Sequence, residues 1–215
     1  MPLEGKLLVP RRRKPLADVF LNIPYDTDFQ NLYLAYISGI CAFGLIPRAT
    51  LEIPGGARRL DRIWRLIKSC RYAVHDLSRV ELDQKRPPTP RFNMPFELGL
   101  SVAWEEFARR KHTWFVFEAK NRRLQKSLSD LNGTDTYIHD GRVAGVFREL
   151  CNAFNRPGLQ PSVQHMWEIY AQVQKNVPSL LKLAGTESVF QTRTFRDICL
   201  IANAVADELI FPATH

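Results

Sequence analysis

Ala17-Asp18-Val19-Phe20-Leu21-Asn22-Ile23, then Pro24-Tyr25-Asp26, then the apolar run from Asp28 to Gly44, reads as one strand, one turn and one helix. The strand's apolar residues are consecutive rather than alternating, which is the pattern of a strand covered on both faces. Pro24 ends it. Over 28–44, Phe29, Leu32, Tyr36, Ile40 and Phe43 recur at helical spacing, and Gly44 closes the helix. A strand that passes into a helix so soon calls for a parallel partner reached by a crossover.

The unit repeats along the chain. Ile46 to Ile53 reads as a second strand, Pro54-Gly55-Gly56 as a turn, and 57–69 as an amphipathic basic helix carrying Leu60, Ile63, Trp64 and Ile67. Tyr72-Ala73-Val74-His75 is a third strand running into Asp76-Leu77-Ser78-Arg79. A proline-rich loop over 81–94 then leads to a helix. His112 to Glu118 is the fourth strand, 121–130 a polar helix, Thr136 to His139 the fifth strand, and 141–154 another helix. Five strand–helix alternations predict a flavodoxin-like α/β domain with a five-stranded parallel sheet over 17–155.

Residues 1–16 read as a basic N-terminal arm, and 156–215 as a C-terminal helical segment with helices near 162–183 and 193–210. Trp167, Ile169, Tyr170 and Val173 give that segment an apolar face which a five-stranded sheet does not fully cover. It is expected to cap the domain or to build a homo-oligomer.

The 215 residues carry a net charge of +8 at a sequence pI near 9.5, which suits a phosphate-bearing or polyanionic partner. The basic clusters (Arg11-Arg12-Arg13-Lys14, Arg109-Arg110-Lys111, Arg122-Arg123) have no interleaved aromatic residues, so nucleic acid is disfavoured. Cys41, Cys70, Cys151 and Cys199 lie far apart with no histidine at metal-ligand spacing, so no metal site is expected. No apolar run reaches membrane-spanning length, and no signal-peptide core opens the chain. A reduced, cytoplasmic protein is expected.

Arg91-Phe92-Asn93-Met94-Pro95-Phe96-Glu97-Leu98-Gly99 reads as a loop entering the helix, with Asn93 able to cap it and Pro95 in its first turn. Phe96, Leu100, Ala103 and Phe107 share one face, and Gly99 with Ala103 permits close packing by another element. Glu97 near the positive end of the helix dipole is expected to stay ionised, as a nucleophile or as a stabiliser of developing positive charge. The competing assignment makes it half of a capping box.

Ligands of open parallel sheets sit at the carboxyl ends of the strands. Those ends present Asn22, Tyr25 and Asp26 after strand one, Arg48 on strand two, and His75 and Asp76 after strand three. Glu97 and Asp76 are expected to face one pocket, with Arg79, Arg91 and Asn93 nearby for phosphate and substrate. Each of these also has an ordinary structural role: Asp76 in an Asx turn, the arginines in ion pairs with Glu81 or Asp83. No G-x-G-x-x-G follows the first strand and no Walker lysine follows Pro54-Gly55-Gly56, which argues against dinucleotide-Rossmann and P-loop chemistry.

Taken in order, Leu21-Asn22-Ile23-Pro24-Tyr25, Cys70-Arg71-Tyr72-Ala73-Val74-His75-Asp76-Leu77-Ser78-Arg79, Arg91-Phe92-Asn93-Met94-Pro95 with Phe96-Glu97-Leu98-Gly99, and Ser129-Asp130-Leu131-Asn132-Gly133-Thr134-Asp135 resemble the TIR-like and nucleoside 2-deoxyribosyltransferase-like superfamily. The resemblance covers residues 17–155 and is nearest to a bacterial set of TIR-like proteins. It implies that Glu97 attacks or stabilises the anomeric carbon while an N-glycosidic bond breaks. It implies that Asp76 holds the sugar or assists the base, and that Tyr25 and Asn22 line the pocket. Arg91-Phe92-Asn93-Met94-Pro95 stands where the deoxyribosyltransferases usually have a Gly-rich or Asp-rich approach, and the arginine suits a nucleotide phosphate.

The expectation is therefore N-glycosidic cleavage of a nucleotide, with NAD favoured as substrate rather than cofactor, in bacterial defence or nucleotide signalling. Nucleoside 2-deoxyribosyl transfer and a non-catalytic nucleotide-sensing scaffold stay open as alternatives.

Overall fold

The computed structural model describes residues 17–53, 58–83, 86–109, 111–155 and 160–211. The expected basic arm and the Pro54-Gly55-Gly56 turn lie outside the described residues. The strands are β1 (Asp18–Asn22), β2 (Ile46–Ala49), β3 (Tyr72–Asp76), β4 (Thr113–Glu118) and β5 (Thr136–Ile138). They form one parallel sheet in the order β2-β1-β3-β4-β5, the flavodoxin-like arrangement. The helices are α1 (Gln30–Ala42), α2 (Arg59–Ser69), α3 (Asn93–Phe107), α4 (Arg123–Ser127), α5 (Val143–Ala153), α6 (Val163–Ala184) and α7 (Thr192–Leu209).

Strand alternation divides the core in two. Val19, Leu21 and Val74 point to the side where α1 lies, while Phe20 and Ala73 pack with Ile63, Leu66 and Ile67 of α2. α1 is buried on nearly every side, as a helix apolar all round requires. The sheet, α5, α6 and α7 enclose it. Gly44 at φ +69° ends α1 in the left-handed conformation expected of a closing glycine.

Met166, Ile169, Tyr170, Val173 and Val177 of α6 join the same core as α1, together with Phe195, Ile198 and Ala202 of α7. The segment thus caps the domain: Ile169, Tyr170 and Val173 are buried against the chain's own α1, while Trp167 stays 37% exposed.

Two further expectations give way. β2 stops at Ala49 and a 3₁₀ turn over Thr50–Glu52 follows. Pro47 has no N–H to offer the open edge, and Glu52 Oε1 accepts the Ala49 N–H at 3.0 Å. The polar helix expected over 121–130 is α4 plus a 3₁₀ turn at Ser129–Leu131. No helix among the described residues is long and apolar enough to cross a membrane.

Candidate functional site

In the order β2-β1-β3 the chain leaves β1 in one direction and returns to β3 in the other, which opens a crevice at their carboxyl ends. A cavity of about 320 Å³ lies there. Asn22, Pro24 and Tyr25 follow β1 into it, Thr50 follows β2, Arg59 opens α2, and Arg91, Asn93, Met94 and Glu97 come from the entry to α3.

A polar chain beneath the cavity fixes α3 against the sheet. Asn22 Nδ2 donates to the Met94 carbonyl at 2.9 Å and lies 2.9 Å from His75 Nδ1, while His75 Nε2 lies 2.9 Å from Ser101 Oγ on α3. An amide nitrogen only donates, so His75 Nδ1 accepts and Nε2 carries the hydrogen, directed at Ser101. Burial lowers the His75 pKa from 6.5 to about 3, with His112 adding to the effect, which keeps the ring neutral. His75 is fully buried and does not line the cavity. It positions the turn that carries Glu97.

Glu97 is 4% exposed and lines the cavity. No hydrogen-bond or ion-pair partner meets it among the described residues, and α3 has no side-chain cap: Phe92 occupies the cap position and Asn93 is already helical. Glu97 is thus no capping-box residue, and Asn93 does not cap. Burial raises the Glu97 carboxyl from 4.5 to about 7, with Arg59 opposing the rise. This corrects the expectation of a permanently ionised carboxylate. Desolvation outweighs the helix dipole at the fifth residue of the helix.

The buried face of α3 is also not the expected one. Met94, Glu97, Leu98 and Ser101 are buried, whereas Phe96, Gly99, Ala103 and Phe107 face outward. Nothing lies within 4 Å of where a Gly99 Cβ would be.

Asp76 does not share the cavity. It extends from β3 on the side of Val74, opposite to His75, and is fully buried. Tyr36 Oη donates to Asp76 Oδ2 at 2.7 Å, the Ser78 N–H donates to Oδ1 at 2.9 Å, and His139 Nε2 lies 3.0 Å from Oδ2. Burial alone would raise its pKa, but the bonds from His139, Ser78 and Tyr36 hold it below the usual carboxylate value.

Asp140 and Gly141, both at positive φ, turn the chain so that the Gly141 N–H donates to His139 Nδ1 at 3.1 Å. The hydrogen of His139 is therefore on Nε2, which faces both Asp76 and Ser78 Oγ (3.1 Å). A Ser-His-Asp relay needs serine and carboxylate at opposite ring nitrogens. Here one nitrogen serves both, so the cluster cannot act as a nucleophilic triad.

The remaining sequence candidates divide by position. Asp26 caps the 3₁₀ turn after β1 and holds Arg79 Nη2 and Arg91 Nη1, each at 3.4 Å, rather than leaving them to Glu81 or Asp83. Arg91 is thereby held at the cavity, whereas Arg79 does not line it. Glu81 pairs with Lys120 and Arg123.

Arg48 is bound to Asp18 and Glu52 at the outer side of β2, in a separate groove of about 400 Å³ against α7. It does not belong to the Glu97 cavity. Sequence reading missed Thr50 and Arg59. Thr50 lies just past the carboxyl end of β2, where the topological rule would have placed it, and Arg59 is the first residue of the helix that follows.

Arg59 has no ion-pair partner among the described residues. With Arg91 it gives the cavity two guanidiniums suited to phosphate, facing one weakly acidic carboxyl. Among the described residues no three His, Cys, Asp or Glu side chains group as metal ligands. No family model, curated protein or solved structure matches this chain.

Proposed function

We propose that the chain cleaves the N-glycosidic bond of a nucleotide, with NAD the favoured substrate and Glu97 the reacting carboxyl. The observation that carries this reading is the placement of Glu97 as the one carboxylate lining the cavity, unpartnered among the described residues and opposite Arg59 and Arg91. The resemblance of the Phe96-Glu97-Leu98-Gly99 and Asn22-to-Tyr25 stretches to TIR-like and deoxyribosyltransferase-like enzymes supports it. The volume suits the reacting base and ribose, with phosphate at the arginines.

In the ionised form Glu97 offsets the positive charge that forms at the anomeric carbon as the bond to the base breaks and its electron pair leaves with the base. Water then adds to that carbon and gives up its proton. The ligand's leaving group decides which form of Glu97 is needed. Nicotinamide departs from its pyridinium as a neutral molecule, so NAD cleavage needs the carboxylate and should accelerate as pH rises through about 7. A purine or pyrimidine leaves as an anion unless protonated.

The raised Glu97 pKa therefore favours a second reading, in which protonated Glu97 supplies the leaving base with its proton and the rate falls as pH rises through about 7. The test is to incubate the chain with NAD, NMN, and purine and pyrimidine deoxynucleotides across this pH range, following free base by chromatography. Base release that Glu97→Gln reduces by at least ~100-fold, with ligand binding retained, is expected. Full activity of Glu97→Gln, or no base release from any of these substrates, would overturn the proposal.

A further inference from the structure

All of the strongly exposed phenylalanines among the described residues lie together: Phe92 (68% exposed), Phe96 (54%) and Phe107 (78%). They flank Gly99 and Ala103, which are also exposed, so the outward face of α3 reads Phe92, Phe96, Gly99, Ala103, Phe107 within one narrow helical arc. The middle of this stripe is flat. A side chain at Gly99 would meet nothing within 4 Å.

A helix that leaves three aromatic rings in water around a small-residue floor is unfinished as a surface. We infer that α3 is the two-fold interface of a homodimer, in which the Gly99–Ala103 floors of two antiparallel α3 helices meet and each Phe96 seats beside Phe107 of the second copy.

Symmetry selects a second copy as the occupant. A two-fold contact must be self-complementary. Phe96 lies three residues before Gly99, and Phe107 four residues after Ala103. Reversing the helix direction therefore lays ring on ring and floor on floor. An antiparallel crossing also opposes the two helix dipoles favourably. The three rings expose on the order of 400 Å² per copy, about half of one side of a standard interface, which suits a weak, concentration-dependent dimer. The contact would run alongside the cavity, because Phe96 and Glu97 are neighbours on opposite faces of the same turn. This surface is distinct from the C-terminal helices, where Ile169, Tyr170 and Val173 are buried against α1.

Sedimentation equilibrium of the full chain over a range of concentrations tests this. A concentration-dependent dimer is expected. Phe107→Asp should weaken it by at least tenfold, and so should Phe96→Lys, with circular dichroism unchanged because both side chains are exposed. The combination of Phe96→Lys with Phe107→Asp on one chain should recover at least tenfold over either single change, since each new charge then meets its opposite across the two-fold. A wild-type monomer at all concentrations would overturn the inference. So would a dimer indifferent to Phe107→Asp, or a combined variant no better than the singles.

Discussion

Asp76 and Glu97 are two buried carboxyl groups at the same edge of one sheet, and their surroundings are opposite. Asp76 accepts hydrogen bonds from Tyr36 and the Ser78 N–H and faces Nε2–H of His139, and its pKa is pushed down. Glu97 has no such partner among the described residues, and burial pushes it up to about 7. Burial is nearly equal for the two, so hydrogen bonding decides the difference. A fully buried carboxylate already met by three donors has little left for a ligand. One that is desolvated beside an open cavity, opposite guanidiniums, is poised to gain or lose a proton at neutral pH.

The largest effect that would break this comparison is on folding stability at Asp76. Replacing Asp76 with Ala strands the Tyr36 hydroxyl, the Ser78 N–H and His139 Nε2–H in the interior, and should cost roughly 3–5 kcal/mol in urea or thermal unfolding. Asp76→Asn should also destabilise, because an amide presents only one acceptor oxygen where donors converge on two. A near-neutral result for both variants would return Asp76 to the list of cavity candidates.

Glu97→Gln should move stability in the other direction, by less and only in one pH range. The folded pKa of about 7 lies above the ordinary value of 4.5, so between these pH values the folded state holds the proton more tightly than the unfolded chain. The wild type therefore loses stability as pH rises from about 4.5 to 7, and above pH 7 the full cost of a buried charge is present. Glu97→Gln escapes that cost. It should be more stable than the wild type at pH 8, by at most about 3.5 kcal/mol, and close to it near pH 4. Unfolding curves at the two pH values check the sign, and a uniform loss at both would argue that the Glu97 side chain holds the fold.

The sheet was legible because each strand but β2 is a short apolar run followed by a helix pattern, and because Gly44 marks an end that only a glycine-like conformation makes. β2 was overextended because its termination depends on Glu52 folding back onto its own backbone, which no local pattern records. Glu97 was legible from its place after the β3 loop, at the mouth of a helix. Its environment was not. The face of α3 that packs inward carries Glu97 and Ser101 while phenylalanines face water, an inversion of the amphipathic rule, so the hydrophobic stripe pointed to the wrong side. The pairing of Asp76 with Glu97 failed for a related reason. Alternation along β3 puts His75 and Asp76 on opposite faces, but which helix covers each face depends on how the crossovers wrap.

The most direct measurement is a carboxyl-carbon NMR titration of the chain labelled at its glutamate and aspartate side chains, recorded beside Glu97→Gln. One carboxyl with a midpoint near 7, absent from the Glu97→Gln spectrum, is the expected result, while the Asp76 carboxyl stays ionised through the range in which exposed aspartates take up protons. Every carboxyl titrating in the ordinary acidic range, or a midpoint near 7 that survives Glu97→Gln, would contradict the assignment of the two carboxylates.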